Sequence, residues 1–535
     1  MRAENRPRSV HLFLWGCSAL FIWQIVFTFG IGGVWDSSRY LFFASQFADY
    51  GNTYSMAYAP LFPFCLGFFQ LLGFSAVTSV FIVYTISLGI LLSCMFELFR
   101  LLSVHGLLIG LSFVALISST AFYELINVAL TELGFGALLT SALLLSLHSI
   151  RRQQIHPALL LVCALLPLQR YIGVVSANLC LLLTYFFLNQ PLQDKVLRWL
   201  RALPVVHAPF LIVIWSNKVI TKRFFGERRD GSDFGFGENI GKVFSTLLDE
   251  FPLELGFTVL SLLASITFVR RLSAQPTSWQ RRLEVPIENP QHPNTLAFLL
   301  LLISSAMFWG HTATQIYSSS TVTINPINSR YFISFEGIFI VQLVTVILLF
   351  GTQIKNPDHA VILPRRMTAI LLLLFPFFSS PLFAPDLLSG SPRALGHRHN
   401  KKINDVVNAV NNHPQTKHVA LYELGKPHMP FFYLEIGMFD VLSPGCSGIQ
   451  LLTPNANHYV PQTIAAPDCP DGQTSDNRFY LLREVNPDPR FTHILVSKQR
   501  LEPDTQKEMT RLLNNSGFDV SLSNKSYLLF ARSTP

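Results

Sequence analysis

Apolar residues in this chain fall into long blocks separated by short polar stretches, not into alternating patterns. The blocks cover roughly 11–33, 77–99, 106–122, 129–149, 156–169, 171–188, 204–219, 253–269, 296–312, 331–352 and 367–384. Most are near the length of about 17–25 residues that carries a helix across a bilayer. The pattern therefore predicts about eleven membrane helices. The blocks at 156–169 and 171–188 are short and read either as two spans or as one bent pair.

The polar stretches between blocks sort by charge. Arg2, Arg6 and Arg8 precede the first block. Alternate loops then hold Arg100; Arg151 and Arg152; Lys195, Arg198 and Arg201; Arg270, Arg271, Arg281 and Arg282; and Lys355, Arg365 and Arg366. Basic loops stay in the cytosol, so the N-terminus is expected there and the intervening loops outside. The first block lacks a small-residue cleavage site and reads as a retained helix.

Two outside loops stand out. The first, from Asp36 to about Ala76, carries Tyr40, Phe43 and Phe47 on one face, then Tyr54-Ser55-Met56-Ala57-Tyr58-Ala59-Pro60-Leu61-Phe62-Pro63. Such a segment is expected to lie along the membrane surface. The second, Thr221 to Glu250, holds Lys222, Arg223, Arg228 and Arg229 on the side where basic residues are disfavoured. It reads as a solvated loop or as a place for a bound anion.

Near Pro385 the pattern changes. Residues 1–385 form the transmembrane part, with the outer first loop at 34–76, and 386–535 read as a soluble extracytoplasmic α/β domain. Ile403 to Val410 and Glu502 to Asn515 look helical, the latter ending at Gly517. Val419 to Tyr422, Phe491 to Ser497 and Tyr527 to Ala531 look like strands. The fold class is thus mainly α: a polytopic helical membrane domain with a small C-terminal α/β domain.

Composition supports a membrane protein. The 535 residues are 50% hydrophobic and 13% charged, against about 25% charged in a soluble domain. The net charge of +8 sits in the topology-setting loops and is no sign of nucleic acid. Five cysteines, Cys17, Cys65, Cys94, Cys163 and Cys180, lie in or beside apolar blocks as small hydrophobes. Cys446 and Cys469 stand alone in the polar tail, where an oxidising compartment favours a disulfide over two free thiols. No zinc spacing, Walker loop, dinucleotide fingerprint or internal repeat is present. Two sequons, Asn514-Asn515-Ser516 and Asn524-Lys525-Ser526, are too short a pattern to place the chain in an ER, and a bacterial inner membrane is the favoured setting.

Polar groups gather at one expected depth, the outer rim. They are Asp36, Arg39, Tyr54, Tyr58, Glu124, Glu132, Arg170, Tyr171, Lys222, Arg223, His311, Arg330 and Tyr331. One carboxylate among several basic groups suits sugar transfer from a phosphate-linked lipid. A base takes the acceptor proton, and Arg and Lys stabilise the departing phosphate. Each residue also has a structural reading. Asp36 pairs with Arg39 or caps the following helix, Glu132 favours a helix dipole, and Arg170 and Arg330 snorkel. Tyr58, Tyr171 and Tyr331 suit an aromatic belt, and His311 ends a span.

The order of these elements resembles the GT-C superfamily of integral-membrane glycosyltransferases, which includes protein O-mannosyltransferases, the aminoarabinose transferase and the GPI mannosyltransferase family. Trp35-Asp36, with Tyr40 and Ala44, resembles the first-loop acidic motif. Tyr58-Ala59-Pro60-Leu61-Phe62-Pro63 resembles the Tyr/Phe-x-Pro-x-x-Pro element, and Thr131-Glu132 the Ser/Thr-Glu pair. Leu168-Gln169-Arg170-Tyr171-Ile172-Gly173 resembles the Arg-x-x-Gly turn, and Ser329-Arg330-Tyr331 the late Arg-Tyr. The resemblance implies an inverting transferase with Asp36 as base. Arg170, Arg330, Lys222 and Arg223 would bind the donor phosphate. Arg39, Tyr58, Glu132, Tyr171, His311 and Tyr331 would bind substrate. The expected partners are a polyprenyl-phosphate sugar donor, membrane lipids and a glycan, lipid or protein acceptor, with no nucleic acid. No cofactor is implied with certainty. The first loop reads Asp-Ser-Ser-Arg instead of a paired acidic motif, which leaves a divalent metal open; Glu132 and His311 would be one place for it. Rival readings are a transporter or lipid flippase, which places charges near the bilayer midplane, and a scaffold with an outer binding domain.

Overall fold

The computed structural model describes residues 5–29, 40, 44, 59–74, 76–119, 122, 130–221, 224, 235–273, 292–321, 330–351, 357–378, 409, 418–422, 449–450, 478–482, 493–497, 503–524 and 527–532. Asp36, Arg39, Tyr58, Glu124, Lys222, Arg223, Cys446 and Cys469, the side chain of Arg330 and the expected domain boundary near 385 lie outside the described residues.

Every predicted span contains a helix. In chain order these are α1 (Asn5–Trp23), α2 (Leu61–Leu71), α3 (Ala76–Leu101), α4 (Gly106–Ser118), α5 (Glu132–Arg152), α6 (Pro157–Gln169) and α7 (Gly173–Phe186). There follow α8 (Leu192–Thr221), α9 (Phe236–Glu250), α10 (Pro252–Ser273), α11 (Pro293–Thr321), a single turn α12 (Arg330–Ile333), α13 (Glu336–Gly351) and α14 (Pro357–Phe378). Five of these are long and apolar enough to cross a bilayer by themselves, and six shorter apolar helices accompany them. The chain is an integral membrane protein. Helix α1 ends in a π-helical turn, Gln24–Phe29.

Two short blocks that left a choice between two spans and one bent pair form two helices. Pro157 opens α6, and the chain at Arg170 turns extended (φ −149°, ψ 131°). Helix α7 starts at Gly173, where a Cβ would collide with the carbonyl of Leu166. Such a short turn forces α6 and α7 to run antiparallel. The same logic along the chain puts the N-terminal ends of α5, α7, α10 and α13 and the C-terminal ends of α6 and α11 on one side. The basic residues Arg100, Arg151, Arg152, Lys195 and Arg365 collect on the other.

Lipid does not drive apolar helices together, so packing detail and hydrogen bonds must. Small residues let backbones approach: a Cβ on Gly136 of α5 would sit 2.6 Å from the carbonyl oxygen of Ser334. Phe308 of α11 lies 5.4 Å from Phe335 and 5.2 Å from Phe339, in edge-on contact with both. Helix α8 turns Leu211, Ile212 and Trp215 outward, each more than half exposed, as a lipid-facing surface does.

The polar tail contains a six-stranded sheet in the order β2-β3-β1-β4-β6-β5. Its strands are β1 (His418–Tyr422), β2 (Ile449–Gln450), β3 (Arg478–Leu482), β4 (His493–Ser497), β5 (Phe518–Ser523) and β6 (Tyr527–Arg532). Strands β2, β3, β1 and β4 pair in parallel, and β6 and β5 close the edge antiparallel. Helix α15 (Pro503–Asn515) ends at Gly517, whose φ of +81° is open to glycine at no steric cost. The helix, β1, β4 and β6 answer to the elements read from the sequence, while β2, β3 and β5 were not foreseen.

Candidate functional site

The α6–α7 turn and the start of α5 bring together two residues singled out in the sequence. Arg170 Nη1 lies 3.4 Å from Glu132 Oε1, with the side chains 12% and 0% exposed. Glu132 is the first residue of α5, so it also sits where backbone N–H groups favour an anion. Gln169, beside Arg170, donates its amide to the Thr131 carbonyl at 2.9 Å. That bond ties the end of α6 to the start of α5 and fixes the distance between acid and base. Tyr84 of α3 braces the same spot. Its hydroxyl accepts from the Leu130 N–H at 2.7 Å and donates to the Leu130 carbonyl at 3.0 Å. Inside a membrane an irregular residue needs such partners, because water does not supply them.

Aromatic rings wall the pair. The Arg170 guanidinium carbon is 5.8 Å from the Phe135 ring centroid and 5.5 Å from that of Tyr331. A guanidinium over two rings keeps its charge while shedding water. Arg170 Nη1 is buried and makes its ion pair without a hydrogen bond. His311 completes the wall, with ring centroids 5.8 Å from Phe135 and 5.2 Å from Phe335. It is fully buried, and neither nitrogen has a hydrogen-bond partner, although the Tyr331 backbone lies close.

Of the residues nominated from sequence, Glu132, Arg170, His311 and Tyr331 therefore share one site. The backbone of Arg330 adjoins it by opening α12. His311 is not at a helix end, since α11 continues to Thr321. Tyr171 turns toward α8 instead, where it receives a hydrogen bond from Asn217 Nδ2 at 3.3 Å and stacks 6.0 Å from Phe210. Glu132 and His311 stand on the same wall, but no group of three or more metal-ligating side chains is found among the described residues. Tyr84 and Gln169 were not among the residues nominated from sequence, because what they do is bond through their side chains to the backbone of Leu130 and Thr131. A cavity of about 220 Å³ lies at the opposite, basic end, lined by Ser103, Asn294, Thr345 and Arg365 among others, far from this chemistry.

No protein-family model matches the chain, and no curated protein does. Solved structures similar to it include two of one protein. ArnT from Cupriavidus metallidurans in the apo state aligns at 14% identity and a TM-score of 0.46, over 98% of each chain. The same protein bound to undecaprenyl phosphate aligns at 12% identity and a TM-score of 0.45, over 97% of each chain. A likeness at this distance assigns no residue role and no ligand to this chain.

Proposed function

We propose that the chain is a glycosyltransferase that moves one sugar from a polyprenyl-phosphate carrier to an acceptor on the non-cytosolic face. The observation that carries the reading is the buried Glu132–Arg170 pair, whose guanidinium is held by one acid yet keeps Nη1 without a hydrogen bond. A second anion at that guanidinium would complete its hydrogen bonding. The leaving phosphate of a lipid-linked sugar supplies such an anion, and the apolar surroundings suit the prenyl chain.

In this reading Asp36 takes the proton of the acceptor hydroxyl as its oxygen attacks the anomeric carbon. The bond from that carbon to the phosphate oxygen breaks, and configuration inverts. Arg170, with Arg330, Lys222 and Arg223 as further candidates, takes up the charge left on the phosphate. Tyr331 and His311 line the space, and Arg39 and Tyr58 are further candidates for binding substrate, while Tyr171 faces α8. The ordered likeness of the motifs to GT-C enzymes supports the same chemistry. Buried acids here stand at helix starts, not at mid-bilayer, which fits transport less well.

The test is a transfer assay with purified protein, radiolabelled polyprenyl-phosphate sugars and a panel of acceptors. Asp36→Asn is expected to abolish transfer while leaving insertion and folding intact. Full activity in that variant removes Asp36 as the base. Release of no sugar from any donor by the native chain ends the transferase reading.

A further inference from the structure

Two acids on the same side of the bundle take no part in the arrangement above. Glu254 is the third residue of α10 and Glu336 the first of α13. They are 0% and 1% exposed. Helices α10 and α13 pack against each other, and Glu254 lies within the field of Glu336. None of the four carboxylate oxygens has a hydrogen-bond partner. The hydroxyl of Ser119 lies beside Glu336. That of Ser334, two residues before Glu336, is buried and unpartnered as well.

The polar layer one turn along α10 is satisfied by contrast. Gln342 Nε2 donates to Ser304 Oγ at 2.8 Å, and Thr258 Oγ1 lies 3.4 Å from Gln342 Oε1. The four carboxylate oxygens and the Ser334 hydroxyl are left unmet at the acids themselves. A helix N-terminus offsets part of the cost of one buried carboxylate, but not of two that repel each other. A proton on one acid relieves the repulsion but leaves the remaining carboxylate oxygens without a partner. A positive ion between them neutralises both and takes up oxygens of each.

We propose that Glu254 and Glu336 form a binding site for a hard divalent cation of the Mg²⁺ class, with Ser119, Ser334 and water completing the coordination. An all-oxygen set selects Mg²⁺, Mn²⁺ or Ca²⁺ over softer metals. Two carboxylates plus water is a common Mg²⁺ arrangement. His311 is not counted among the ligands, because its ring is stacked between Phe135 and Phe335. The site is independent of the transferase reading and is measured without any sugar donor.

Mn²⁺ is the probe. Chelator-stripped full-length protein in detergent is titrated with Mn²⁺ and followed by electron paramagnetic resonance. The expected result is one bound ion per chain below ~1 mM, displaced by Mg²⁺, with a rise in thermal midpoint. Glu254→Gln and Glu336→Gln are each expected to weaken binding by at least about tenfold. Glu238→Gln, at a half-exposed acid of α9, is expected to leave it unchanged. Should the Gln variants fail to fold, Glu254→Asp and Glu336→Asp keep the charge, shorten the reach and must weaken binding likewise. Absence of binding by the native chain, or undiminished binding in folded Gln or Asp variants, overturns the proposal.

Discussion

Arg170 and Glu132 meet at 3.4 Å across the ends of two helices, although each sits where an isolated charge would be expelled from a membrane domain. Removing one partner strands the other. Glu132→Ala is therefore expected to cost about 3–5 kcal/mol, seen as a lowered thermal midpoint in detergent. The joint replacement Glu132→Gln with Arg170→Met is expected to cost much less than the sum of the single changes, and a double-mutant cycle reads the coupling.

Arg170→Lys keeps the charge but loses the planar fork. Stability is expected to change little, while transfer falls about a hundredfold. Unchanged transfer in that variant places the phosphate elsewhere.

Tyr84→Phe removes one oxygen and leaves two backbone groups of Leu130 without a partner. The expected loss is about 1–3 kcal/mol, visible as a lower midpoint of thermal unfolding. Because the start of α5 carries Glu132, transfer is expected to fall as well.

Gly136→Ala forces a methyl group against the Ser334 carbonyl, which as backbone has little room to yield. A loss of about 1–3 kcal/mol is expected. Gly110, with nothing near its Cβ position, is the control, and Gly110→Ala is expected to be neutral or mildly stabilising.

Sidedness is checked by single cysteines in a cysteine-free background. A cysteine at Gln153, in the α5–α6 turn, is expected to react with an impermeant maleimide only from the cytosol. One at Asn515, in the tail, is expected to react only from outside. Reversal of either inverts the topology.

The helices were legible because apolar length and basic loops are properties of local sequence. Each block from 11–33 to 367–384 contains a helix, and the tail helix stops at Gly517 where a glycine was read as the stop. Glu132 and Arg170 were each legible as candidates, but not as partners. Their meeting depends on the Gln169 bond to Thr131 and on how α5 packs against α6, which no local pattern encodes. Glu254 was passed over because an acid in the first turn of a helix has an ordinary explanation. Only the packing of α13 against α10 shows that a second acid faces it. Strands β2 and β3 were not legible because parallel pairing brings together segments far apart in sequence, whereas β5 pairs antiparallel with the adjoining β6 and was overlooked although Phe518, Val520 and Leu522 alternate with polar residues.

The π-helical turn at Gln24–Phe29 has a consequence for everything that follows it. One extra residue per turn shifts the angle at which the backbone leaves the first helix. Deleting a single residue there would restore ordinary winding and swing the exit by about 100° around the axis. A one-residue deletion at 24–29 thus changes how the chain leaves α1 without touching any side chain of the stretch that carries Asp36, and transfer is expected to fall in that variant.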